Sequence, residues 1–84
     1  MPVNARRVQL RDVALLVEYA LADEKGGQCE FALRHGQAAA ALRLERRGLI
    51  EFHPTSFTHC RITTAGVAMA HTLAQLIEDA KQAL

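Results

Sequence analysis

Apolar residues recur at helical spacing through the first third of the chain. Leu10, Val13, Ala14, Val17, Ala20 and Leu21 form one stripe of a helix over about 8–23. Leu15, Leu16 and Tyr19 lie off that stripe. A helix that is apolar on more than one side is buried on more than one side. This helix therefore needs cover from the C-terminal helix or from a second subunit. Gly26 and Gly27 stop it, because glycine accepts the left-handed conformation of a C-terminal cap.

A short helix is expected over about 28–34, a tight turn at His35-Gly36, and a second helix over 37–47. Helix, glycine-containing turn, helix is the helix-turn-helix pattern. Ala32, four residues before Gly36, suits it, since a small side chain lets the two helices approach. Ala38, Ala41 and Leu42, with Leu44, are the inward positions of the second helix. Arg43, Arg46 and Arg47 point outward near its C-terminal end, where cations also suit the helix dipole. Gly48 caps it.

The period then changes to two. Ile50 and Phe52 share one strand face, and Glu51 and His53 the other. On a returning strand Cys60 and Ile62 share one face, and His59 and Arg61 the other. This is a hairpin, apolar inside and polar outside. Glu51 and Arg61 are placed to pair across it. Pro54 to Thr58 make the loop. Thr63 caps a last helix over about 64–83, its hydroxyl accepting a bond from an otherwise unpaired backbone N–H. Val67, Ala70, Leu73, Ala74, Ile77, Ala80 and Leu84 form its stripe, with Leu76 beside it.

The expected fold class is mainly α with a small β-hairpin: a winged helix-turn-helix of three helices, a two-stranded wing and a longer C-terminal helix. It occupies 1–84 as a single domain, with the helix-turn-helix at about 28–47 and the wing at about 49–62. Within that frame Leu44-Glu45-Arg46-Arg47-Gly48-Leu49-Ile50 resembles the helix-to-wing junction of bacterial winged-helix regulators such as the MarR and PadR families. Ile62-Thr63-Thr64-Ala65-Gly66 resembles their step from wing to final helix. The resemblance covers about 28–73.

The resemblance implies a small DNA-binding transcriptional regulator, a repressor that blocks a promoter as a homodimer. Carried over by position, Gln37, Ala39, Ala40 and Arg43 would face the bases of double-stranded DNA. Arg34, Arg46, Arg47, Thr55, Ser56 and Arg61 would lie near phosphates. Glutamine can read adenine and arginine guanine, both bidentately. The dimer interface would combine Leu15, Leu16 and Tyr19 with Leu73, Leu76, Ile77 and Leu84.

The residues also support a second reading, a protein-interaction module that docks on another protein without specific DNA readout. The run Ala38 to Ala41 leaves few base-reading groups, and Phe57 stands at the wing tip where a basic residue is usual. Phe57 is a partner anchor, a minor-groove wedge, or a ring folded onto the hairpin's own apolar face. Lys and Arg number 10 against 9 Asp and Glu, a net charge of +1, so local rather than overall charge must attract DNA.

Half of the chain is hydrophobic, ample for the core of one 84-residue domain. Cys29 and Cys60 are too few and too far apart for a disulfide scaffold. His53, His59 and Cys60 do not make a zinc site, because His59 and Cys60 point to opposite strand faces. No nucleophile–base pair or phosphate-binding loop is visible. We therefore expect no enzyme, no cofactor and no metal. With no signal peptide and no membrane-spanning run, the expected location is the cytoplasm.

Overall fold

The computed structural model describes residues 9–83. Its elements run α1 (Leu10–Ala22), β1 (Phe31–Ala32), α2 (Ala38–Arg46), β2 (Ile50–His53), β3 (Ser56–Ile62) and α3 (Thr64–Gln82). The strands form one antiparallel sheet in the order β1-β3-β2. The fold is thus mainly α with a small β element, and its 19-residue C-terminal helix is the longest. One apolar cluster joins Leu15, Leu16, Tyr19 and Ala20 of α1, Ala40, Ala41 and Leu44 of α2, the sheet's Ile50, Cys60 and Ile62, and Val67 and Ala70 of α3.

The face of α1 that enters this cluster is the reverse of the expected one. Leu15, Leu16 and Tyr19 are 4%, 1% and 2% exposed, whereas Leu10 and Leu21 of the expected core stripe are 82% and 75% exposed. The assignment of Leu15, Leu16 and Tyr19 to a subunit interface is accordingly corrected: they are interior to this chain. The physical reason is aromatic. Tyr19 stacks flat on Phe31 of β1, ring centroids 4.1 Å apart, and that stack turns the Tyr19 side of the helix toward the sheet.

The helix that precedes α2 is α1, because the short helix expected over 28–34 does not form. Its place is taken by β1, with Phe31 opposite Cys60 and Ala32 opposite His59. Seven residues are too few to hold a helix without tertiary support. The Asp23 carboxylate also accepts the N–H groups of Gly26, Gln28 and Cys29 at 2.8–2.9 Å. Those bonds pin the segment in an extended path, and β3 offers it an open edge.

The hairpin follows its alternation. Ile50 faces Ile62, Glu51 faces Arg61 and Phe52 faces Cys60. Its loop is shorter than expected: only Pro54 and Thr55 turn, and β3 already begins at Ser56. An irregularity between Phe52 and His53 absorbs the surplus residues. With β1 added, the expected two-stranded wing is two strands of a three-stranded sheet.

Two glycines and one threonine join hairpin to helices. Gly48 leaves α2 with φ 74°, a conformation glycine adopts freely. Thr63 caps α3 by accepting from Gly66 N–H at 2.9 Å, and its hydroxyl proton lies between the carbonyls of Gly48 (2.8 Å) and Leu49 (3.1 Å). Gly66 has no room for a side chain, because a Cβ there would strike the Leu49 carbonyl and Ile62. Only Gly66, Val67 and Ala70 of α3 are buried, with Leu73 half-buried. Leu76 and Ile77 are 58% and 44% exposed, and Leu84 lies outside the described residues.

Candidate nucleic-acid interface

The outward face of α2 is set by which of its residues the core takes. Ala40, Ala41 and Leu44 are buried; of the expected inward set Ala41 and Leu44 are inside, whereas Ala38 and Leu42 are exposed. At 100° per residue the opposite face carries Ala38, Ala39, Leu42, Glu45 and Arg46. All five are exposed, Leu42 by 43%. Ala40, expected to face bases, is 5% exposed and belongs to the core. The cause is size: alanine at 40 and 41 lets the helix backbone settle closely on α1 and β2.

The remaining expected base-facing groups are held by the protein itself. The Arg43 guanidinium makes two parallel bonds, each 2.8 Å, to the Asp12 carboxylate on α1. Asp12 is 4% exposed, so Arg43 is the partner that makes a buried charge tolerable. Donating to Asp12 in turn raises the Arg43 pKa further. The Gln37 side-chain oxygen accepts the Arg34 N–H at 2.8 Å, closing the turn before α2. Arg34 itself grips Glu18 at 2.9 and 3.0 Å. This second pair is exposed, 65% and 46% at the two side chains, and such a pair exchanges partners at small cost. Asp12 and Glu18 were not legible as anchors, since no local pattern links residues 31 and 16 positions apart.

Arg46, Arg47 and Arg61 are exposed, the first two at the end of α2 and the third on the outer face of β3. Arg61 sits directly opposite Glu51. Thr55 is exposed at the turn, its N–H donating to His53 Nδ1 at 3.1 Å. Ser56 is half-buried, its hydroxyl 2.8 Å from that of Thr58. Phe57 is 84% exposed, and its ring meets Phe52 edge-on with centroids 6.3 Å apart. Cys60 is buried, and burial raises its thiol pKa; Cys29 is exposed. His53 Nε2 lies 3.9 Å from Glu30.

The surface thus offers one small-residue helix face, the exposed Arg46, Arg47 and Arg61, and a hairpin tip with an aromatic ring. Among the described residues no group of three or more His, Cys, Asp or Glu side chains is placed to hold a metal ion, and no helix is long and apolar enough to cross a membrane. Compared with known families, characterised proteins and solved structures, the chain has no significant match.

Proposed function

We propose that this chain is a winged-helix DNA-binding module that holds duplex DNA chiefly by its backbone and regulates transcription in the cytoplasm by occupying a promoter as a repressor. The observation that carries the reading is the outer face of α2. Ala38 and Ala39 project almost nothing, so the helix can approach a groove closely, and Arg46 on the same face reaches a phosphate. Arg47 and, on the hairpin, Arg61 extend the cationic set. Arg34 joins it by exchanging Glu18 for a phosphate.

Phosphate contacts supply affinity and position; base contacts supply specificity. Arg43 is occupied by Asp12, Gln37 by the Arg34 backbone, and Ala40 is interior. What remains toward the bases is Ala39 and Leu42, which can touch a thymine methyl but form no bidentate pair. The module therefore binds with a shallow sequence preference. The test is retention of a random duplex pool at low and moderate salt, with sequencing of the bound fraction. Retention at low salt with weak, thymine-biased enrichment supports the reading. A strongly enriched motif would show that Arg43 leaves Asp12 to read a base. No retention at low salt would end the DNA reading.

One observation favours docking on a protein instead. Phe57 presents 84% of its surface at the hairpin tip, and Leu42 presents 43% on α2. Exposed aromatic side chains are frequent anchors in protein interfaces. Phe57→Ala separates the two: it abolishes capture of a protein partner but leaves retention of duplex DNA nearly unchanged.

A further inference from the structure

We propose that the outer face of α1 is a homodimer interface formed with α1 of a second copy in antiparallel orientation. The stripe Leu10, Ala14, Val17 and Leu21 lies on the side of the helix opposite Leu15, Leu16 and Tyr19. Leu10 and Leu21 are 82% and 75% exposed, Ala14 is exposed and Val17 is half-buried. Val17 packs at the edge of the core, but Leu10, Ala14 and Leu21 on this second apolar side remain exposed.

The pattern identifies the occupant. The spacing of four, three and four residues reads the same from either end. A two-fold axis between Ala14 and Val17 therefore sets Leu10 against Leu21 of the second copy, and Ala14 against its Val17. Such self-complementarity is what an isologous contact requires. The charges agree. Arg11 follows Leu10, and Glu18 follows Val17, so both lie on the same flank of the stripe. In an antiparallel pair equal flanks meet, which brings Arg11 of each copy to Glu18 of the other. Arg11 makes no ion pair among the described residues. Glu18 keeps unused lone pairs beside its bonds to Arg34.

Along the Leu21 end, α3 borders the stripe: Val17 and Leu21 share a shallow cleft with Ala70 and His71. Asp12, which holds α2 through Arg43, points to the opposite side of α1. The dimer accordingly leaves α2 open in both copies. It does not depend on what α2 binds, and its test uses no DNA.

The experiment is sedimentation equilibrium of the full chain at micromolar concentrations. The wild type is expected to be dimeric. The double variant L10E/L21E should be monomeric with an unchanged circular dichroism spectrum, since both side chains are exposed. Arg11→Glu and Glu18→Arg should each weaken the dimer by about tenfold, because the axis repeats every like-charge contact. Glu18→Arg also releases Arg34, so the deciding sample is the equimolar mixture of the two variants. Its heterodimer has both charge pairs restored and should recover wild-type affinity. A monomeric wild type, or a mixture no tighter than its components, overturns the proposal. So does a dimer that survives L10E/L21E but is lost in Leu76→Glu, which would place the contact on the groove lined by Leu73, Leu76 and Met69.

Discussion

Helix α1 has two apolar sides, and the molecule treats them oppositely. The side with Leu15, Leu16 and Tyr19 forms the middle of the core, while Leu10 and Leu21 on the other side are exposed on the single chain. By hydrophobic spacing alone the second side looks the better core stripe. The difference shows that periodicity marks a face for burial without saying what buries it. The tie is broken by partners distant in sequence. Tyr19 finds Phe31, and Asp12 finds Arg43, both on the inner side.

Substitutions along α1 measure the contrast. Leu16→Ala, at a site 1% exposed, should cost about 2–5 kcal/mol in denaturant unfolding, as lost burial plus a cavity. Arg43→Ala should destabilise clearly more than Arg46→Ala in thermal melts, because it strands the buried Asp12 carboxylate. At the helix end, burial works to raise the Asp23 carboxyl, but the backbone N–H groups of Cys29, Gln28, Gly26 and Lys25 more than reverse this and hold it below the ordinary range. A group with a lowered folded pKa stabilises above its unfolded pKa, and the contribution is lost as pH falls through the folded value. Asp23→Ala should therefore be less stable than wild type at neutral pH, with the gap closing in acid.

Smaller effects sharpen the same contrast. The Tyr19 hydroxyl is buried beside the Cys60 thiol without a well-formed hydrogen bond, and burial raises its pKa. Tyr19→Phe keeps the stack on Phe31 and removes that polar group, so it should be neutral or stabilising by about 1 kcal/mol. Leu21→Ala, on the outer side, should change monomer stability by no more than about 0.5 kcal/mol. A large loss at Leu21 and a small one at Leu16 would invert the account of α1.

The hairpin was the most legible part of the chain. Strict alternation over Ile50–His53 and Cys60–Ile62 leaves one arrangement that buries Ile50, Cys60 and Ile62 together, and the structure has it. Thr63 was legible too, since a hydroxyl three residues before Gly66 is a local signal. The reason for Gly66 was not: it depends on the Leu49 backbone passing across the start of α3. Residues 28–34 misled because their helical character is weak and local, while Asp23 and the edge of β3 act from outside the segment. The candidate site suffered most. Position in a motif marked Arg43, Gln37 and Ala40 as readers, but Asp12, the Arg34 backbone and the core had prior hold on them. Arg46 and Arg61 remained outward, as their spacing implied.

The contrast between Arg43, bound to Asp12, and the outward Arg46 and Arg61 is the centre of the functional reading, and salt dependence tests it. The affinity of the wild type, Arg46→Ala and Arg61→Ala for one duplex would be measured across a range of salt concentrations. The account predicts a steep linear fall of log K with log salt, with each substitution reducing the slope by about 1. Unchanged slopes in both variants, or no binding by the wild type at the lowest salt, would contradict it.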